Sequence, residues 1–302
     1  MSDNQFIFSH MHIDAARNAT DDFNLFHDKT RWAEIRQNPF GGPIALGFQL
    51  EGLVEHQIRL YRQANNEEVL IAEQGLRFSH YEFIFANAVK SEEPLTVTIK
   101  KSRTSKEGSY SLNNRVVVKT EQGVVLMGYK REATAPLFLG ETILADLGDL
   151  KNGVDRDYLN DSGFFLKKKF MANSNAKNFL SASCAEQSDY FDELEDKIEF
   201  PEIFPCSLIS CALLEKAHKK GHDFINEPMV YTSHRICIDR QLLKTVRSSD
   251  KVDILIRESK EPAEKKAGQE VSYECYGVLN QKEILYRAII SLMPLSEIIN
   301  NN

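Results

Sequence analysis

Two side chains near the N-terminus have the residue types and spacing of an acid–base pair. Asp22 and His27 lie five positions apart, and Asn24 stands between them. Histidine titrates near neutral pH, so an imidazole beside a carboxylate can take up and return protons under physiological conditions. Such spacings also arise by chance, and an asparagine in a polar turn is commonly a helix cap. The pair indicates proton transfer only if a second feature supports it.

A glycine-rich turn follows at Phe40 to Pro43 and leads into a helical pattern that starts near Ile44. Gly41 and Gly42 would let the backbone approach a bound molecule more closely than other residues allow. Gly47 would lie near the N-terminus of the helix. There, unpaired N–H groups and the helix dipole favour negative charge.

Together, the two blocks resemble the signature of the MaoC-like dehydratases. This family includes the (R)-specific enoyl-CoA hydratases and related 3-hydroxyacyl thioester dehydratases. The matching residues are Asp22-Phe23-Asn24, His27, Ala33 and the run Phe-Gly-Gly-Pro-Ile-Ala-x-Gly at positions 40–47. The resemblance in residue types and spacing is strong over residues 8–62. Beyond them, only the order of the predicted helices and strands agrees.

The resemblance implies that Asp22 and His27 flank a catalytic water and that Asn24 lines the site. It also implies that Gly47 provides an oxyanion-binding amide and that Gly41 and Gly42 face the acyl chain. Hydration of an enoyl thioester needs a base that activates water for attack at C3 and an acid that protonates C2. Which residue takes which proton is left open by the sequence.

The implied activity is that of a hydro-lyase, without a cofactor or metal ion. Its substrate would be an acyl-CoA or an acyl group on an acyl carrier protein, in fatty acid metabolism or polyketide biosynthesis. Two departures from the family pattern concern Leu46, where histidine is usual, and Leu25, where proline is common. Two alternatives from other classes remain, namely a non-catalytic acyl-binding or assembly module and a hot-dog thioesterase.

The elements that must position these residues begin with a strand at Gln5 to Phe8 and a helix that Ser9 could cap. A longer helix is predicted over Ile44 to Tyr61, where apolar residues recur at helical spacing. Five strands are then predicted, at Val69 to Ala72, Leu76 to Phe85, Leu95 to Lys100, Arg115 to Lys119 and Val124 to Tyr129. An antiparallel sheet wrapped around the long helix would bury both.

The second half of the chain repeats this order of elements. The predicted order is a strand at Phe164 to Phe170, helices at Ala176 to Ala185 and Ser207 to Ala217, and strands at Met229 to Ile238, Val252 to Arg257, Glu270 to Val278 and Ile284 to Leu292. Matching order predicts an internal duplication. With the resemblance, it implies an α+β fold of two tandem hot-dog domains, residues 1–134 and 163–302, joined by a linker over 135–162.

The second half does not repeat the motif. The segment from Ser183 to Asp192 offers Glu186 and Asp189, but no histidine follows them at the required place. The helix there begins Pro205-Cys206-Ser207, without a preceding glycine pair. We therefore expect one active site per chain, in the first domain, with the second domain supporting it.

Composition limits the remaining function classes. Of the 302 residues, 42% are hydrophobic and 27% are charged, as in soluble globular proteins. The net charge of −7 argues against general binding of nucleic acid. The sequence also predicts no membrane span, no signal peptide and five free cysteines in a reducing cytoplasm. Two hot-dog domains in one chain could pair with each other, so both a monomer and a homodimer fit.

Overall fold

The computed structural model describes residues 5–105, 110–259 and 270–300. The N-terminal residues 1–4, part of the segment judged to lack a signal peptide, lie outside this described part. Within it, no helix is both long enough and apolar enough to cross a membrane.

The described residues form seven α-helices. They are α1 (His10–Thr20), α2 (Gly47–Ala64), α3 (Glu67–Glu73), α4 (Asn173–Ala182), α5 (Ile203–Lys219), α6 (Arg240–Leu243) and α7 (Leu295–Asn300). Ser9 caps α1 as predicted, because its side chain accepts a hydrogen bond from the His12 amide. The helices α2 and α5 are the two long helices of the predicted repeats.

The same residues form fourteen β-strands. They are β1 (Gln5–Ile7), β2 (Phe78–Phe85), β3 (Pro94–Ile99), β4 (Arg103–Ser105), β5 (Ser111–Thr120), β6 (Gly123–Ala133), β7 (Asp157–Tyr158), β8 (Phe165–Phe170), β9 (Phe191–Asp192), β10 (Lys197–Ile198), β11 (Met229–Asp239), β12 (Lys251–Glu258), β13 (Val271–Leu279) and β14 (Glu283–Pro294).

One predicted strand is wrong. Val69 to Ala72 belongs to the helix α3, which buries Ile71 while Val69 remains exposed. An apolar run of four residues cannot distinguish a strand from a helix. Glu67 and Glu68 occupy the first turn of α3, where acidic side chains are favoured by the helix dipole.

The sheet topology confirms the duplication. The large sheet has the strand order β1-β3-β5-β6-β2-β11-β14-β13-β12-β8-β7, so β1-β3-β5-β6-β2 in the first half corresponds to β8-β12-β13-β14-β11 in the second. The halves join where β2 pairs antiparallel with β11, for example at Tyr81 and Ile236. Each half is an antiparallel sheet that packs on one long helix, the predicted α+β hot-dog architecture.

The two long helices lie side by side inside the curved sheet. Leu53, Val54 and Ile58 of α2 share one continuous core with Ile209 and Ala212 of α5. This packing brings side chains of each long helix into contact with the other half of the molecule, for example Ser210 of α5 with Asp22.

The segment between β6 and β8 is ordered and packed. Strand β7 pairs with β8, and a short 3₁₀ turn spans Leu144–Leu147. A separate apolar cluster joins Leu147 and Leu159 of this segment to Tyr276 and Val278 of β13. The segment predicted as a linker therefore covers one face of the second half's sheet. The division at residues 134 and 163 stays a prediction.

Candidate active site

The end of α1 sets the position of Asp22. Asp21 adopts the left-handed conformation with φ 53°, and the Asp22 amide then bonds back to the carbonyl of Arg17 at 3.0 Å. The Asp22 side chain is buried, and its Oδ1 accepts a hydrogen bond from the Asn24 amide at 2.8 Å. The side chain of Asn24 in turn accepts from the Phe26 amide at 3.2 Å. These local bonds fix the turn that carries His27.

The second half of the chain provides the other contact of Asp22. The hydroxyl of Ser210, on α5, donates to Asp22 Oδ2 at 2.5 Å. The Tyr231 hydroxyl, on β11, donates to Ser210 Oγ at 3.0 Å. Neither residue was predicted from the sequence. The one available signal was the serine itself, one of two serines in the mostly apolar first part of α5.

A buried histidine and glutamate lie behind Tyr231. The rings of Tyr231 and His234 meet edge-on with their centroids 4.5 Å apart. His234 Nδ1 lies 2.9 Å from Glu51 Oε1, and both side chains are fully buried. Phe85 packs edge-on against the same imidazole, at 4.8 Å between centroids. Because these groups are held together in the core, Tyr231 and Phe85 have defined positions in the site.

His27 is held in one tautomer. Its Nδ1 lies 2.8 Å from the carbonyl oxygen of Ile44. A carbonyl can only accept, so Nδ1 carries the proton and Nε2 keeps its lone pair. Burial lowers the pKa of His27, against opposing contributions from the Asp22 charge and the Ile44 bond. The imidazole is therefore a neutral base at neutral pH.

Gly47 is the first residue of α2 and faces the same space. The first bond of the helix ladder runs from the Leu50 amide to the Leu46 carbonyl at 3.1 Å, so the Gly47 amide precedes the ladder. A Cβ at position 47 would lie 3.2 Å from the Phe85 ring and 3.4 Å from the Tyr231 ring. The close packing of these rings explains the glycine.

Several of these residues line a cavity of about 880 Å³. Asn24, His27 and Gly47 line it, and Leu46 adds apolar wall where the resembling family has histidine. Asp22 is not among the described residues that line the cavity. Its charge acts on His27, and its side chain is linked through Ser210 to Tyr231, which does line the cavity.

Two of the predicted site residues lie elsewhere. Of the glycine-rich turn, the described wall includes Phe40 and the preceding Pro39, but not Gly41 or Gly42. A Cβ at either glycine would meet nothing within 4 Å. Gly41 has φ +69°, so the turn requires a left-handed residue there. The structure gives backbone conformation, and not close approach to an acyl chain, as the reason for this glycine.

No family model and no curated protein matches the sequence. Solved structures do match over nearly the whole chain. A MaoC-like dehydratase has a TM-score of 0.59 at 10% identity, covering 96% of each chain. RV0216 from Mycobacterium tuberculosis, described as having a double hot-dog fold, has a TM-score of 0.58 at 12% identity, over 97% of this chain and 94% of its own.

A putative MaoC domain protein dehydratase from Chloroflexus aurantiacus gives a TM-score of 0.55 at 10% identity, covering 96% of this chain and 93% of its own. Agreement over such lengths covers both halves of this chain. The chain therefore has the double hot-dog fold that occurs in MaoC-like dehydratase structures.

Proposed function

We propose that this protein is a hydro-lyase that hydrates enoyl thioesters or dehydrates 3-hydroxyacyl thioesters carried on CoA or an acyl carrier protein. One observation carries the proposal. A neutral imidazole with an available lone pair lines an acyl-sized cavity, beside a buried carboxylate and a helix N-terminus. The fold, shared with MaoC-like dehydratase structures, supports the same reaction class.

In the proposed hydration, His27 Nε2 removes a proton from water and the oxygen attacks C3 of the enoyl thioester. The charge of Asp22 stabilises the resulting imidazolium. Negative charge moves to the thioester oxygen, which the Gly47 amide and the N-terminus of α2 stabilise. The imidazolium then returns its proton to C2. One hydrogen of the water stays on the new hydroxyl, and the other ends on C2.

The remaining polar groups hold this arrangement. Asp22 accepts from the Asn24 amide and the Ser210 hydroxyl, so both its oxygens are fixed as acceptors. Ser210 and Tyr231 are positioning residues contributed by the second half. This supports the prediction that the second half serves a single site located in the first.

The test is an assay of the purified protein on crotonyl-CoA and longer enoyl-CoA substrates. We expect loss of the enoyl absorbance with the thioester intact, and loss of this activity in His27→Ala. Release of free thiol would instead identify a thioesterase. Binding of acyl thioesters without turnover would identify a non-catalytic acyl-binding module. Either result would contradict the proposal.

We also propose that the protein is a monomer in which the two halves form a pseudo-dimer. The pairing of β2 with β11 supports this, because it joins the two sheets within one chain. Light scattering after size-exclusion chromatography distinguishes this state from a homodimer. The cytoplasmic location stays a prediction from the sequence.

A further inference from the structure

One lysine of the cavity wall is buried. Lys216, on α5, is 5% exposed and lines the same cavity as His27 and Gly47. Its Nζ lies 4.6 Å from the centroid of the Tyr273 ring. Burial and the charge of Lys220 lower the pKa of Lys216 to about 8. The ammonium group therefore remains largely charged at neutral pH.

This lysine also has no close anionic partner among the residues that the structure describes. Within the described part of the chain, no carboxylate forms an ion pair with Lys216 within 4.0 Å, and the exposed Glu258 acts on it only at longer range. Lys167, on the neighbouring β8, offers a contrast. It is 4% exposed and pairs with Glu215 at 3.0 Å. A buried cation without a counter-ion is costly, and an anionic ligand would relieve that cost.

The walls around Lys216 are largely apolar. Leu213, Leu214 and Leu292 line the cavity with it, and the one acidic residue of the described wall is the exposed Glu227. Lys220, the C-terminal cap residue of α5, follows one turn later and is exposed. Lys216 therefore lies inside the cavity, and Lys220 lies near its mouth.

The position of Lys216 along α5 gives its approximate distance from the proposed site of water addition. Ser210, which bonds to Asp22, precedes it by six residues, or about 9 Å along the helix axis. Within this distance an acyl chain extending from the site of water addition could place a second polar group beside Lys216. The phosphates of a CoA or carrier arm are strongly hydrated and fit better near the exposed Lys220.

We propose that Lys216 binds a carboxylate at the far end of the acyl chain, so that the preferred substrate is the monothioester of a dicarboxylic acid. The inference rests on the proposed function, because it takes the cavity to be the acyl site. The apolar walls would hold the methylene groups between the thioester and this carboxylate.

The test is calorimetric binding of saturated thioesters, which cannot be hydrated. The matched ligands are octanedioyl and octanoyl thioesters, each on N-acetylcysteamine, which has no phosphate, and each on CoA. We expect the wild-type protein to bind the octanedioyl ligand about 10- to 100-fold more tightly than the octanoyl ligand on either carrier. Lys216→Met should remove this preference while leaving octanoyl binding unchanged.

The control is Lys219→Met. Lys219 is half-exposed on the same helix and pairs with Asp157, so its loss should leave the preference intact. Equal binding of both acyl groups by the wild type would overturn the inference, as would a preference that survives in Lys216→Met. If Lys216→Met binds both CoA ligands more weakly than the wild type does, but binds both N-acetylcysteamine ligands equally well, Lys216 contacts a phosphate of CoA instead. That result would also overturn the inference. A carboxylate preference without turnover on enoyl substrates would contradict the proposed reaction alone.

Discussion

The first half of the molecule has an open helix end, and the corresponding end in the second half is filled. At the start of α2, Gly47 faces the cavity. At the start of α5, the carboxyl group of Glu55 accepts hydrogen bonds from the Glu202 amide at 2.7 Å and the Ile203 amide at 2.9 Å. The N-terminus of a helix generally favours an anion or another hydrogen-bond acceptor. The end of α2 faces the cavity, and the end of α5 is occupied by a side chain of the same protein.

The turns before these helix ends also correspond. A 3₁₀ turn capped by Asn24 ends at His27, and a 3₁₀ turn capped by Glu186 ends at Asp189. In the first half the residue after the left-handed position is Asp22, whereas in the second it is Ala185. The second half thus has neither the aspartate nor the histidine of the proposed acid–base pair at the corresponding positions.

Charged residues fill the space beside the second helix end. Glu202 accepts from the Tyr81 hydroxyl at 2.5 Å and pairs with Lys130 at 2.9 Å. Glu132 is fully buried between Lys130 and Arg62. Glu202 belongs to the second half and its partners Tyr81 and Lys130 to the first, so these contacts hold the halves together. The two helix ends thus differ in that one faces the cavity and the other is closed by charged groups from both halves.

The largest effect is expected from removing the carboxylate beside His27. Asp22→Asn should lower kcat/KM for enoyl thioesters on the order of 10²- to 10⁴-fold, because the imidazolium of His27 loses its opposing charge. The matched variant Asp189→Asn, in the second half, should leave the rate unchanged. Equal losses in the two variants would contradict the assignment of the active site to the first half.

A second variant tests the charged network beside the filled helix end. Glu132→Gln should lower the free energy of unfolding by about 3–5 kcal/mol, because it leaves buried cations without their anion. Urea unfolding followed by circular dichroism measures this change. The folded variant should keep kcat/KM within a few-fold of wild type. Loss of activity with unchanged stability would show that the network serves catalysis.

The grouping of the predicted site residues beside the start of α2 could be expected from the sequence, because these residues are close to one another along the chain. Asp22, Asn24, His27 and Gly47 fall within one segment, and the bonds that fix them are mostly local. The order of strands was likewise visible from alternating apolar runs and turns. What the sequence could not provide was the contact between Asp22 and Ser210, which are 188 positions apart.

The filled site was not predicted at all. Glu55 stands between Val54 and His56 on α2, yet it is 4% exposed. Glu132 stands between Arg131 and Ala133 on β6 and is fully buried. Sequence periodicity places charged residues outside by default. Only the packing of α2 against the start of α5 reverses that assignment.

The two sites should respond to pH in opposite directions. Burial raises the pKa of Glu55 from 4.5 to about 7. Its contribution to stability is present below pH 4.5 and is lost as the pH rises through 7. The pKa of His27 is lowered from 6.5 in the folded state. Its contribution is therefore present above pH 6.5 and is lost as the pH falls.

Two variants separate these contributions. Relative to Glu55→Gln, the wild type should lose on the order of 3 kcal/mol of unfolding free energy between acidic and mildly alkaline pH. Relative to His27→Gln, it should lose stability on the acidic side of pH 6.5. Urea midpoints measured across the pH range give both differences. Parallel curves for wild type and Glu55→Gln would show that this carboxyl group does not titrate as described.

The smallest change in stability is expected for the glycine turn before α2. The segment before α5 has no corresponding glycine pair. Gly41→Ala should lower the free energy of unfolding by about 1 kcal/mol, because alanine is strained at φ +69°. Gly42→Ala should cost less, since Gly42 does not adopt a left-handed conformation and a Cβ there meets nothing within 4 Å. Neither variant should change KM, because neither glycine lines the described cavity. A several-fold rise in KM for Gly42→Ala, with stability unchanged, would show instead that an acyl chain lies against this turn, as the sequence resemblance implied.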